Sequence, residues 1–102
     1  MVNHIVLWNI KGDLSVQEKR EAALTIKSKL EAVAQKVEGV ISLEVVINEM
    51  ESSNKDIALI SKFESEKALG AYQVSPEHVE AGKYIKTVTE GRSCFDFVNK
   101  RG

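Results

Sequence analysis

The chain has 102 residues, of which 43% are hydrophobic and 28% charged, and its formal net charge is −1 from 14 basic and 15 acidic side chains. This length and composition are typical of one globular unit that buries its own core, so we predict a single domain over residues 1–102. The charge balance argues against a nucleic-acid-binding protein, because lysine and arginine are mixed with glutamate and form no basic stripe.

The cysteine content and the N-terminal segment predict the cellular compartment of the protein. Cys94 is the only cysteine, and a chain without disulfides is typical of a reducing compartment. The apolar run Ile5–Trp8 is too short for a signal peptide or a bilayer span. We therefore predict a cytoplasmic protein with no membrane partner. Since Cys94 lies in an apolar run, we predict that its thiol is packed in the core.

The first predicted strand covers Val2–Ile10, which is rich in β-branched and aromatic residues. Alternate side chains share a face of a strand. One face carries His4, Val6, Trp8 and Ile10. The other face carries Ile5 and Leu7, so both faces of this strand are apolar.

A long helix follows the first strand. Ser15 and Glu18 have the spacing of a capping box, which predicts the start of the helix. Apolar residues then recur at spacings of three and four, as on one face of a helix. They are Ala23, Ile26, Leu30, Val33 and Val37. Gly39 is the predicted end of this helix.

Two strands are predicted next, over Val40–Ile47 and Asp56–Phe63, with polar turn residues between them. The first of these has one wholly apolar face, made of Ile41, Leu43, Val45 and Ile47. Its other face also carries apolar side chains, Val40 and Val46.

The rest of the chain predicts two helices and a last strand. Ser65 is the predicted N-cap of a short helix through Tyr72. Ser75-Pro76 begins a second helix that ends near Thr87 or Val88, since proline suits the first helical position. Arg92–Val98 is the predicted fourth strand.

The order of strand, helix, two strands, two helices and strand is the split βαβ pattern of the ferredoxin-like fold. We therefore predict an α+β protomer with a four-stranded antiparallel sheet and its helices on one face. The opposite face would meet water in a monomer. Exposing several hundred Å² of apolar surface there would forgo on the order of 10 kcal/mol of burial. The sequence thus predicts a homodimer that forms through the sheet face.

Metal and cofactor sites have no local signature. His4, His78 and Cys94 are scattered, and no CxxC, HxH or HExxH motif occurs. The glycines never cluster into a phosphate-binding loop. We predict no bound metal and no cofactor.

The segment from Tyr72 to His78 is the best candidate for catalysis. On an unbroken helix these side chains would be roughly 240° apart, but Pro76 breaks the helix and a corner there could turn both into one cavity. His78 in the first turn would favour a neutral ring that accepts a proton, and Tyr72 could donate a hydrogen bond to a carbonyl. The alternative is that Tyr72 only packs on the core and His78 is only an early helical residue.

Four segments in order along the chain share a pattern with one known family. They are His4–Trp8, Gly39–Val45, Asp56–Ser65, and Ala71-Tyr72 through Pro76-Glu77-His78. The pattern resembles the stress-responsive dimeric α/β barrel, or Dabb, family, and it runs nearly from end to end. The resemblance implies a ferredoxin-like protomer whose sheets pair into a dimeric α/β barrel.

The family includes plant olivetolic acid cyclase, which uses a tyrosine and a histidine for an aldol cyclisation. By the Tyr-x5-His spacing, the resemblance implies catalytic roles for Tyr72 and His78. It also implies a ligand-binding pocket, whose predicted residues are His4, Val6, Trp8, Ala23 and Ile26. Many members have histidine where this chain has Ser75, and the cyclase has aromatic residues on its first helix, so the pocket and substrate are expected to differ.

The predicted function is therefore binding of a small apolar or aromatic carbonyl compound, with acid–base chemistry of the cyclase or aldol type. Two alternatives remain open from the sequence. One is a non-enzymatic stress protein that acts as a stable oligomer. The other is a monooxygenase of the wider dimeric barrel group.

Overall fold

Four strands and three helices occupy residues 1–99, the part of the chain that the computed structural model describes. In chain order they are β1 (Val2–Ile10), α1 (Val16–Ala34), β2 (Val40–Ile47), β3 (Ile57–Phe63), α2 (Glu66–Val74), α3 (Pro76–Val88) and β4 (Thr89–Val98). The strands form one antiparallel sheet in the order β2-β3-β1-β4. The predicted ferredoxin-like α+β fold is confirmed. None of the described helices has the length and apolar composition that crossing a bilayer requires.

The core lies between the helices and one face of the sheet. Burial alternates strictly along β1 and β3, so every second side chain faces the helices. The predicted capping box opens α1, where the Ser15 hydroxyl accepts from the Glu18 backbone N–H and the Glu18 carboxylate accepts from the Ser15 backbone N–H. The predicted stripe of α1 is buried as far as Val33.

The end of α1 differs from the prediction. The helix ends at Ala34 instead of continuing to Gly39, because the Gln35 N–H bonds to the Ala32 carbonyl and tightens the last turn. Gly39 instead forms the entry to β2 with φ +88°, and a Cβ there would lie 2.6 Å from the Cβ of Ala68. Glycine is required at this position for both reasons.

Strand β4 begins at Thr89, three residues before the predicted start. Thr89 pairs with Ile10, and the ladder shifts register between Leu7 and Asn9 of β1. Gly91 has φ +63° at this irregularity, so a bulge extends the strand through residues 89–91, where the sequence predicted no strand. A similar shift at the start of β2 leaves Ile41 exposed, although it was predicted to share the apolar face of Leu43.

Cys94 is not a core residue, contrary to the prediction. It pairs with Val6 and shares the helix-facing side of the sheet. However, β4 is the edge strand, and its side chains are exposed along nearly its whole length. The thiol is therefore accessible.

The face of the sheet that points away from the helices carries apolar side chains from all four strands, with polar side chains such as Glu44 and Lys62 among them. The strand registers place Ile5 and Leu7 of β1 on this side, together with side chains of the other three strands. The exposed apolar members are Val46, Ile60, Phe95 and Phe97. Phe95 is 65% exposed, and its ring centroid is 5.7 Å from that of Phe97. We call this surface the outer sheet face.

Candidate active site between the sheet and α3

A cavity of about 490 Å³ lies between α3, β1 and the start of β4. Its size is in the range of pockets that bind small molecules, roughly 300 to 1,000 Å³. Its buried apolar walls are Val6, Trp8, Leu30, Leu59 and Ile85. Exposed charged residues surround it at one end, namely Lys86, Glu90 and Arg92. The cavity therefore suits a small molecule with an apolar body.

The corner between α2 and α3 brings Tyr72 and His78 together. The Ser75 hydroxyl donates to the Tyr72 carbonyl over 2.8 Å and accepts from the His78 backbone N–H over 3.2 Å, so it caps both helices. Pro76 is the first residue of α3. As a result the Tyr72 and His78 ring centroids are 4.5 Å apart, which an unbroken helix would not permit.

His78 lines the cavity, and one of its ring nitrogens lies within hydrogen-bond distance of a backbone carbonyl. Its Nδ1 lies 3.1 Å from the Gln73 carbonyl oxygen, which can only accept, so this hydrogen bond assigns the proton to Nδ1 and leaves the Nε2 lone pair free. Burial lowers the pKa of His78, and nearby His4 and Arg92 act in the same direction, against the opposing effect of the Gln73 carbonyl. The neutral ring can therefore accept a proton at Nε2.

Tyr72 is fully buried and packs between Phe63, at a centroid distance of 5.0 Å, and His78. Its hydroxyl has no hydrogen-bond partner within residues 1–99. Burial raises its pKa to about 12, so the phenol keeps its proton near neutral pH and remains a donor. A buried donor without a partner costs about 1–3 kcal/mol. Among the described residues, Tyr72 is thus a hydrogen-bond donor without an acceptor, beside the ring that lines the cavity.

The structure brings together only some of the residues predicted for the site. His4, Val6 and Trp8 line the cavity. Tyr72 does not line it directly but lies behind the His78 ring.

The two predicted residues of α1 lie elsewhere. Ile26 is part of the closed core, and Ala23 borders a separate depression of about 230 Å³ near Ile10 and Ile47. Leu30, one turn after Ile26, is the residue of α1 that reaches the cavity. Helical periodicity indicates which side of α1 is buried, but it does not locate the cavity along the helix axis.

Several cavity residues were not predicted, although α3 carries a usable signal. His78, Gly82 and Ile85 follow one another at spacings of four and three, which places them on one helical face, and all three line the cavity. Gly91 and Arg92 were missed for another reason. They lie at the bulge where β4 begins, and the pairing that creates the bulge is not visible in the sequence.

The model of the family described as Stress responsive A/B Barrel Domain (Dabb) matches residues 2–99. The chain belongs to the Dabb family. A dimeric protein of ferredoxin-like fold from Bacteroides fragilis is 34% identical to this Dabb chain, with a TM-score of 0.88 over 94% of this chain and 93% of that one. This similarity and the family match agree with the resemblance found in the sequence.

Two structures with more distant sequences share the fold of this Dabb protein. A hydroxynitrile lyase from Passiflora edulis is 17% identical, with a TM-score of 0.79 over 99% of this chain and 95% of that one. A cofactor-independent oxygenase from Streptomyces nogalater is 8% identical, with a TM-score of 0.74 over 99% of this chain and 94% of that one. No curated protein matches the sequence.

Proposed function

We propose that this Dabb protein binds a small, largely apolar or aromatic carbonyl compound in the cavity and catalyses aldol-type or cyclisation chemistry on it. His78 is the general base and Tyr72 the hydrogen-bond donor. The observation that carries the proposal is the pairing of a neutral imidazole, whose Nε2 is free, with a buried phenol that has no partner within residues 1–99. The apolar walls of the cavity support the proposed ligand class.

The proposed reaction needs no external reagent. Nε2 of His78 removes a proton from the carbon next to the ligand carbonyl, and the electron pair of the broken C–H bond forms an enolate. Tyr72 does not line the cavity, so its hydroxyl reaches the enolate oxygen only when the His78 ring turns towards the ligand. The hydroxyl then donates to this oxygen and stabilises the developing charge. The enolate carbon then attacks a second carbonyl group of the ligand. The His78 imidazolium returns the proton to the new alkoxide, so the ring is regenerated.

His4, Val6 and Trp8 are proposed as ligand-binding residues because they line the same cavity. On α1 we propose Leu30 as the ligand-binding residue in place of Ala23 and Ile26, because Leu30 lines the cavity and the other two do not. The non-enzymatic alternative predicts a filled interior, and a cavity of about 490 Å³ argues against it. A cofactor-independent oxygenase has a related fold, which agrees with the monooxygenase alternative. However, a shared fold does not establish a shared activity.

The experiment measures proton abstraction directly. Acetophenone, an aromatic ketone, is incubated with the protein in D₂O, and exchange of its methyl protons is followed by NMR. We expect the wild-type protein to accelerate exchange. His78→Gln and Tyr72→Phe should each reduce the acceleration by about 100-fold or more, the usual contribution of such groups. An unchanged rate in His78→Gln would refute the role of the base.

A pair of glycines provides a matched control for the cavity. A Cβ added at Gly82 or at Gly70 would meet no atom within 4 Å, but only Gly82 lines the cavity. Gly82→Leu should therefore fill the cavity and abolish the exchange activity, whereas Gly70→Leu on α2 should leave it unchanged. Equal rates in the two variants would place the reaction outside the cavity.

We also propose that two copies associate through the outer sheet face. The apolar side chains on all four strands support this proposal, as does the relative from Bacteroides fragilis, which is described as dimeric.

A further inference from the structure

Three side chains with metal-binding atoms meet at the β1–β4 edge of the sheet. The pairing places His4 opposite Asp96 and Val6 opposite Cys94, so alternation brings His4, Cys94 and Asp96 to the same helix-facing side. The His4 Nδ1, the Cys94 Sγ and an Asp96 carboxylate oxygen all lie within 4.8 Å of one another. The two strands are far apart in sequence, which explains why no local motif announces the cluster.

Two of the three distances within this cluster are close to those of a tetrahedral site. With metal–ligand bonds of about 2.0 to 2.3 Å, neighbouring tetrahedral ligands lie roughly 3.3 to 3.6 Å apart. The Cys94 Sγ is 3.9 Å from the His4 Nδ1 and 3.5 Å from the Asp96 Oδ1. The His4 Nδ1 and the Asp96 Oδ1 are only 2.5 Å apart. Opening this one contact by less than about 1 Å would make room for an ion.

The chemical types of these three side chains indicate which metal ion they would bind. A thiolate, an imidazole and a carboxylate together suit Zn²⁺, which accepts sulfur, nitrogen and oxygen ligands in tetrahedral geometry. The two anionic ligands would match the charge of the ion. The Arg92 guanidinium lies near the thiol and opposes cation binding, but it is on the exposed part of β4 and can turn towards solvent.

We propose that His4, Cys94 and Asp96 bind one Zn²⁺ ion per protomer, with a fourth coordination position open. His4 is buried, with a relative exposure of 2%, and provides a rigid ligand. Cys94 and Asp96 are exposed, which gives the ion a route of entry. Because His4 also lines the cavity, the ion would lie at the edge of the cavity. The test of this site changes neither Tyr72 nor His78, so its failure would leave the roles proposed for those residues standing.

The rival explanation is that the cluster is complete without a metal. Asp96 can accept hydrogen bonds from both His4 and Cys94, which would satisfy all three side chains. Cobalt distinguishes the two cases, because Co²⁺ occupies zinc sites and a bound thiolate gives it a charge-transfer absorption band. The test is a titration of the metal-free, reduced protein with Co²⁺ and then with Zn²⁺, followed by absorption spectroscopy and calorimetry.

We expect one ion per protomer, a submicromolar Kd for Zn²⁺ and a thiolate-to-cobalt band that Zn²⁺ displaces. Cys94→Ser should abolish the band, and Asp96→Asn should weaken Zn²⁺ binding by at least about tenfold, since even residues behind the ligands have effects of this size. Asp13→Asn, which removes an exposed carboxylate before α1, is the charge-matched control and should bind like wild type. No binding by the wild-type protein, or an unchanged band in Cys94→Ser, would overturn the proposal.

Discussion

Gly39 shows how a single residue limits what the fold tolerates. Its φ of +88° lies in the left-handed region, and a Cβ added at this position would be 2.6 Å from the Ala68 Cβ. A side chain there meets both a backbone penalty and a steric clash with α2, so the entry to β2 depends on the absence of a Cβ.

Gly39→Ala should lower the free energy of unfolding by about 1–2 kcal/mol or more, because the left-handed conformation alone costs that much for a non-glycine residue. Urea denaturation measures the change. Gly12→Ala is the control, since a Cβ at Gly12 has no neighbour within 4 Å and no positive φ is involved. A loss of stability in Gly12→Ala equal to that in Gly39→Ala would contradict this explanation.

Removing the buried Tyr72 hydroxyl should affect catalysis and stability differently, so the two contributions of this one group can be measured separately. Since it has no partner within residues 1–99, Tyr72→Phe should leave the free energy of unfolding unchanged or raise it by up to about 1 kcal/mol, although it should impair catalysis. Tyr84→Phe, on the partly exposed side of α3, controls for the chemical change. A clear loss of stability in Tyr72→Phe alone would mean that the hydroxyl already has an acceptor in the folded protein.

At the scale of elements, periodicity was enough to predict every strand and helix, and the Ser15, Ser65 and Ser75 caps fix three helix starts. Apart from the end of α1, which a local hydrogen bond decides, the errors lie where pairing between distant segments decides the outcome. Strand β4 starts at Thr89 because Thr89 pairs with Ile10 of β1. The sequence around Thr89 has no local property that indicates this pairing. For the same reason the sequence did not reveal that Cys94 and Asp96 meet His4.

The corner between α2 and α3 can be tested through its cap. Ser75→Ala should lower the free energy of unfolding by about 1 kcal/mol, because the His78 N–H loses its acceptor. Ser65→Ala removes a similar cap at the start of α2, where the hydroxyl accepts from the Ala68 N–H, and should have a similar cost. Only Ser75→Ala should also displace the NMR resonances of the His78 ring. Unchanged ring resonances would show that Ser75 does not position His78.

At the scale of the whole molecule, the sequence predicted the fold and the two-sided apolar sheet but only part of the cavity. The alternation of β1 grouped His4, Val6 and Trp8, which line the cavity together. What it could not supply is the position of α3 over the sheet, which depends on how three helices share one face. That packing, and not any strand pattern, decides that Leu30 reaches the cavity and Ala23 does not.

The outer sheet face leads to a prediction about assembly. Phe95→Glu places a charge on an apolar surface that we propose is buried between two copies, where an unpaired charge is strongly unfavourable. Light scattering should therefore give twice the mass of one chain for the wild-type protein and a single-chain mass for Phe95→Glu. Leu24→Glu is the matched control, because Leu24 is 54% exposed on α1, away from the sheet, and this variant should remain a dimer. If Phe95→Glu also keeps the dimeric mass, the two copies associate through another surface, and the apolar outer face needs a different partner.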